Sequence, residues 1–248
     1  MIKKIAVLSD IHGNIIALEK VARDIERRHV DKVFNLGDHV SGPLWPQETI
    51  RYLVAQDWLH ILGNHDLKLI TQDPMEHGLS DSYAFLRLNK DELDWLRSLP
   101  ASLEIQKEFS LIHGAPSSDT TYLLETIERG RTRLATQDEI TGRLGEIDIP
   151  IILCGHTHVP RVVETSSGFL IINPGSVGLP AYEDDFPEYH VVETGSPHAR
   201  YSILEYIHGS WQVEMIALSY DYQKAAAQAR KNGRLDWDTG LRTGYMKK

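Results

Sequence analysis

The 248-residue sequence predicts an α/β fold, and three observations carry that reading. Short apolar runs alternate with longer segments of helical period, as in a sheet covered by helices. Hydrophobic residues make up 42% of the chain and charged residues 25%, the composition of a polypeptide that buries a core. A single cysteine leaves no disulfide framework to substitute for that core. With no Pro/Gly/Ser-rich linker, one domain spanning 1–248 is expected.

Ile5-Ala6-Val7-Leu8 reads as a buried strand. Asn14 can cap the helix that follows, whose Ile15, Leu18, Val21, Ala22 and Ile25 fall at three- and four-residue spacings, with Arg27 and Arg28 at its negative end. Val33-Phe34-Asn35-Leu36 is the second strand. Pro46 opens a helix through Ile50, Leu53 and Val54, and Trp58 to Leu62 forms a third strand. From Asp66 to Gln106 the pattern is mostly helical, an insert at about 66–106 placed to cover a cleft. Phe109-Ser110-Leu111-Ile112 returns to strand, Ser118 to Ile147 reads as two helices broken near Gly130, and Pro150 opens the strand Ile151 to Cys154. Beyond it, Val162-Val163, Phe169 to Ile172, Tyr189 to Glu193, Tyr201 to Ile207 and Trp211 to Leu218 look like antiparallel strands, and Tyr222 to Lys231 like a final helix. The segment from Arg234 onward offers only Leu235, Trp237 and Leu241 as docking residues.

The formal charge of −9 argues against an extended nucleic-acid-binding face, because polyanions are held mainly through counterion release by clustered cations. No apolar stretch approaches the length of a membrane span, and the first apolar run is too short for a signal-peptide core, so a cytoplasmic location is expected. Twelve histidines beside one cysteine mean that any metal would be held by nitrogen and oxygen.

Five strand-like runs end in a potential ligand cluster: Asp10-Ile11-His12, Gly37-Asp38-His39, Gly63-Asn64-His65-Asp66, His113-Gly114 and Gly155-His156-Thr157-His158. Ligand crevices of open α/β sheets lie beyond the carboxyl ends of the strands, so such clusters converge on one site. Residues two apart in extended chain share a face, which would pair Asp10 with His12 and His156 with His158.

The ordered set resembles the calcineurin-like metallophosphoesterases, in particular the small prokaryotic phosphodiesterase branch. That resemblance implies a four-layer α/β/β/α sandwich with two mixed sheets. It implies two divalent transition-metal ions, Mn, Fe, Zn, Co or Ni, one held by Asp10, His12, Asp38 and His158 and the other by Asp38, Asn64, His113 and His156. It also implies a bridging hydroxide as nucleophile, His65 as the acid for the leaving oxygen, and a small phosphoester or nucleotide substrate. Phosphodiester hydrolysis is the expected activity, with a phosphomonoesterase, a protein phosphatase or a non-catalytic scaffold of the same fold as alternatives. The protein phosphatases of the family continue the second motif with an Asp-Arg pair. Here Val40-Ser41-Gly42-Pro43 follows, so the acid that orients the catalytic histidine and the phosphate-gripping arginine are both missing from that position.

Other residues read more plainly. His39 is expected to point away from substrate, Asp66 to support its loop or start a helix, and Cys154 to be a core residue. Arg129, Arg131 and Arg133 suggest a solvated helix face. Arg161, close to His158, is a candidate substrate contact, and Asn173-Pro174-Gly175-Ser176 a turn whose amides could line the site.

Overall fold

A computed structural model describes residues 2–246. Fourteen strands and eight α-helices are found among them. The first sheet takes β1 (Lys4–Leu8), β2 (Lys32–Asn35) and β3 (Leu59–His60) in parallel, with β13 (Ala199–Ile207) antiparallel to β1 and β14 (Ser210–Leu218) at the edge. The second has parallel β5 (Phe109–Leu111), β8 (Ile151–Leu153) and β10 (Leu170–Asn173), flanked by antiparallel β4 (Leu103–Ile105) and β9 (Arg161–Glu164).

The alternation of side chains along each strand builds the layers. Ile5 and Val7 point to one face of β1, where they meet Phe34, Leu36, Phe109, Leu111, Leu153 and Ile172 in an apolar seam between the sheets. Ala6 and Leu8 point the other way, onto Leu18, Val21 and Ile25 of α1 (Ile15–Arg28). On the far side, Ile152 and Ile171 pack against Ile140 and Leu144 of α6 (Gln137–Leu144). These are the four layers of an α/β/β/α sandwich. No helix is long and apolar enough to cross a membrane among the described residues.

The helices start where the chemistry of their caps dictates. The Asn14 side chain accepts from the Ala17 amide at 3.3 Å, and Pro46 opens α2 (Pro46–Val54). In the insert, α3 (Asn64–Thr71), α4 (Leu79–Phe85) and α5 (Lys90–Ser98) pack Leu69, Ala84, Leu93 and Leu96 onto Val40 and Ile50. Its last residues are not helical but form β4.

Two expectations fail elsewhere. The first of the two helices expected within Ser118–Ile147 is a hairpin of β6 (Glu125–Glu128) and β7 (Arg131–Leu134). Its two-residue turn, Arg129-Gly130, takes left-handed φ of 55° and 73°, the geometry that matches strand twist in tight hairpins. Arg131 and Arg133 therefore stand on a ribbon, paired with Glu193 and Glu139. With β11 (Ala181–Asp184) and β12 (His190–Glu193) the hairpin makes a third sheet of four strands beside the sandwich. The second failure concerns the end of the chain: the helix expected to be the last, α7 (Tyr222–Lys231), is followed by a further one, α8 (Leu235–Thr243). Of the expected docking residues, Trp237 and Leu241 are buried and Leu235 stays exposed.

Phe109 sits at the centre of the seam, fully buried, its ring edge-on to Phe34 and Trp211. Phe109→Ala should cost about 3–5 kcal/mol, read as a lowered midpoint in urea unfolding, because the rigid sheets on either side cannot close the void.

Candidate metal centre

At the carboxyl ends of β1, β2, β5 and β8, and at the start of α3, the chain brings the clusters together. Asp10, His12 and His158 form one group of donors close enough to share an ion, and Asp10, Asp38 and His113 form another; all are buried. Asn64 joins the second group, its Oδ1 lying 3.0 Å from His113 Nε2, and the His156 ring lies 5.1 Å from that of His113. All seven ligand candidates thus converge.

The route of convergence differs from the extended-chain expectation. Asp10, His12, Asp38, His156 and His158 have φ between 52° and 69°, left-handed backbone that non-glycine residues rarely adopt. Such conformations cost about 1–3 kcal/mol each and persist only where the surroundings over-determine them. Here the loops brace one another: the amides of Asp10 and His12 donate to the carbonyls of Gly37 and Asp38 at 3.0 Å, and Gly178 donates to the Asp10 carbonyl. Gly63 is required by the same crowding, since a Cβ there would strike the Asp38 carboxylate. Consequently His156 and His158, two apart, do not share one face: His158 lies in the first group, whereas the His156 ring lies against that of His113.

The imidazoles are oriented by carbonyl oxygens, which can only accept. His12, His113 and His158 donate Nδ1–H to Ser41, Leu36 and Leu179 at 2.7–2.8 Å, which turns Nε2 of each into the site. His156 is held the other way, with Nε2 on the Thr120 carbonyl at 3.1 Å, leaving Nδ1 as its donor. Burial pulls the His12 pKa down to about 4 and that of His156 to about 3, so both rings are neutral and able to bind a cation.

Each carboxylate is divided between a backbone anchor and the centre. Asp38 Oδ1 accepts from the His65 amide at 2.9 Å, while Oδ2 lies 3.8 Å from His12 Nε2 and 3.4 Å from His113 Nε2. Asp10 Oδ2 accepts from the His156 amide at 3.2 Å, and Oδ1 lies 3.4 Å from His158 and 3.9 Å from His113. Both therefore span the two groups. Burial acts to raise their pKa values, yet the neighbouring imidazoles hold both ionised, and for His113 the burial penalty is outweighed by Asp38 and Asp10, which push it up to about 10.

This donor set fits divalent ions. Asp10 Oδ1 is buried without a hydrogen-bond partner, and the His12 and His158 Nε2 atoms face each other at 3.1 Å with both Nδ1 protons committed elsewhere. A cation between these groups relieves lone-pair repulsion and satisfies the carboxylate at once. Mixed imidazole, carboxylate and amide donors suit first-row transition metals.

His65 stands beside the centre, part-exposed, with Nδ1 2.7 Å from Asp81 Oδ1. Asp81 comes from α4 of the insert and also accepts from the Ser41 hydroxyl. The acid absent from the second motif is thus supplied by another element. Burial lowers the His65 pKa, but the Asp38 charge and the Asp81 hydrogen bond more than offset it and leave it raised.

The remaining candidates resolve differently. His39 is fully buried and bound to Asp66 at 2.7 Å, and Asp66 also takes the amides of Asp38, His39 and Gly63, so it holds the loop as expected. Arg161 is bound to buried Glu125 at 2.8 Å and lines none of the three cavities around the donors. Asn173 and Ser176 brace the site through the Gly155 and Asp10 carbonyls. Cys154 is buried in the apolar core. Sequence reasoning missed Asp81 and Arg234, which no local motif marks, and read Trp237 as a docking residue without its place at the site. It also missed Lys68, although four residues after Asn64 on one helix is a readable spacing.

Comparison with known proteins follows the same pattern. A family model described as calcineurin-like phosphoesterase superfamily domain matches residues 4–196. An uncharacterized protein of Methanocaldococcus jannaschii is 26% identical over 255 residues, covering 94% of each chain. A metallophosphoesterase from Sphaerobacter thermophilus is 26% identical and superposes with a TM-score of 0.75, covering 98% of this chain and 100% of that one. A hypothetical protein from Pyrococcus horikoshii OT3, 18% identical, has the same fold at a TM-score of 0.75, covering 98% and 99%.

Because the donors repel one another without a cation, Mn²⁺ or Co²⁺ at about a hundred times its Kd should stabilise the protein by about 2.7 kcal/mol, a rise in Tm of about 5–10 °C in a chain of this size. Differential scanning fluorimetry checks this, and Asp10→Ala should abolish the rise.

Proposed function

Since the chain belongs to the calcineurin-like phosphoesterase superfamily, we propose that it is a dinuclear, metal-dependent phosphodiesterase acting on a small or nucleotide-like substrate. The observation that carries this reading is the pair of donor groups that share Asp10, with Asp38 Oδ2 3.8 Å from a histidine of one and 3.4 Å from a histidine of the other, and His65 at their edge. One ion would be held by Asp10, His12, Asp38 and His158, and the other by Asp38, Asn64, His113 and His156. When bound, such ions supply Lewis-acid neutralisation of phosphoryl oxygens and lower the pKa of water.

The protein's own residues supply the rest. The ionised Asp81 accepts Nδ1–H of His65, which fixes the ring and stabilises its charged form. The raised pKa favours the form of His65 that carries a second proton, on Nε2, in position to pass to the leaving oxygen as the P–O bond breaks. Asp81 therefore orients the acid and stabilises its protonated form, whose Nε2 proton is regained from solvent between turnovers.

Room for two ester arms favours a diester over a monoester. The cavity over the donors, about 220 Å³, adjoins a second of about 490 Å³ lined by Asn64, Tyr122, Ile127, His156 and Phe186. A third, of about 540 Å³, opens past His65, Asp81 and Tyr189. One arm fits on each side of the centre.

Metal analysis and a metal-by-substrate activity matrix test the reading. Bis-p-nitrophenyl phosphate should be cleaved faster than p-nitrophenyl phosphate, at two ions per chain; fewer than two at saturation would sink the dinuclear assignment. His65→Ala should lower kcat on alkyl diesters by about 10²–10⁴-fold with bound metal unchanged, and Asp81→Asn by about 10-fold.

A further inference from the structure

Two cations in the cavity over the donors have no part in the scheme above. Lys68 lies one turn after Asn64 on α3 and lines all three cavities. Its ammonium makes no hydrogen bond or ion pair among the described residues, whereas the neighbouring polar groups are tied down. It is near enough to act electrostatically on both His65 and Asp81. Arg234 lines the same cavity from another element, at the start of α8, beyond the residues that the family model matches.

Arg234 is held in place on two sides. Its Nε and Nη2 bind the Asp236 carboxylate at 2.6–3.2 Å, and Nη1 donates to Ser80 Oγ at 2.8 Å. A guanidinium has five N–H donors, so two remain for a ligand. Asp236 cancels most of the Arg234 charge, which makes Arg234 a source of directed hydrogen bonds and Lys68 the source of net charge. The carboxylates that share this cavity, Glu183 and Asp184, already accept from the Tyr189 hydroxyl and the Phe186 amide and confine an anion to the inner side.

We infer that Lys68 and Arg234 together hold the phosphoryl oxygens that face away from the donor groups, a role that the second motif leaves empty in this chain. The inference rests on the phosphoesterase reading. Attack of hydroxide on a singly charged diester forms a P–O bond and gives a five-coordinate phosphorus carrying two negative charges. Lys68 is therefore worth more in the transition state than in the bound substrate and acts on kcat. Arg234, whose pairing with Asp236 leaves it directional but nearly neutral, contributes mainly to substrate binding and acts on KM.

The test uses the full-length protein loaded with Mn²⁺, bis-p-nitrophenyl phosphate as substrate, and inorganic phosphate as the calorimetric probe. Lys68→Met should lower kcat/KM by about 10–100-fold and weaken phosphate binding about 10-fold, and Lys68→Arg should recover most of both. Arg234→Met should raise KM about 5–10-fold with kcat changed far less. Bound metal should be unchanged in every variant. If Lys68→Met and Arg234→Met both stay within about twofold of wild type in kinetics and in phosphate affinity, the inference is wrong; it is equally wrong if their losses track lost metal. Should wild type hydrolyse no phosphoester with any metal, the phosphodiesterase reading fails, yet phosphate calorimetry on the same variants still decides whether this pair holds an anion.

Discussion

Two carboxylates, Asp10 and Asp38, are buried side by side at the carboxyl ends of β1 and β2, and this constraint shapes everything around them. Taking a carboxylate out of water costs several kcal/mol, and two of like sign in contact cost more, so neither can stay ionised without compensation. The backbone answers half of the demand, with one oxygen of each carboxylate on an amide, that of His65 for Asp38 and that of His156 for Asp10. The imidazoles answer the other half. Without metal His113 takes the role of the cation, which is why its pKa rises to about 10 while Nδ1 and Nε2 both face acceptors, the Leu36 carbonyl and Asn64 Oδ1. On the proposed function, a divalent ion held by these residues would take over that electrostatic role, and its binding would release the His113 proton.

The second dependence runs through Ser41. Its carbonyl accepts the Nδ1 proton of His12, and its hydroxyl donates to Asp81, the partner of His65. One residue thus links the orientation of a donor to that of the acid. The loop that carries it is pinned from outside: Trp237 of α8 lies edge-on to His12 at 6.0 Å and fills the space where a Gly42 side chain would be, 2.6 Å from an added Cβ. The C-terminal helix is not an appendage. It closes the wall of the site against which the second-motif loop is packed.

What the sequence disclosed is what is local. Each donor cluster is a run of two to four residues after an apolar strand, so Asp10, His12, Asp38, Asn64, His113, His156 and His158 are legible together once the strands are. The left-handed turns that deliver them are not legible, because Asp10 and His12 adopt that backbone only under the hydrogen bonds of the neighbouring loops. The hairpin of β6 and β7 escaped for a related reason. Its Glu, Thr and Arg residues carry no strong apolar alternation, and its pairing is fixed by the turn at Arg129-Gly130 and by β12 across the third sheet. Asp81 and Arg234 come from elements whose place is decided only by tertiary packing, so nothing in their immediate sequence marks them; Trp237 is legible as a docking residue but not as part of the site.

The origin of Asp81 carries a consequence for how activity and selectivity are related. An orienting acid on the second-motif loop would sit beside Asp38 and be independent of the insert. Here it rides on α4, whose position is set by the packing of Ala84 and Leu93 against Val40 and Ile50 and by the Gly42 amide on the Ser80 carbonyl. The same stretch, through Ser80 and Asp81, lines the cavity that would receive one ester arm. Displacing α4 to accommodate a different arm therefore also displaces the group that holds His65. On the proposed function, substrate shape and the strength of the acid would be read by one helix, so changes in the insert would alter both together rather than selectivity alone.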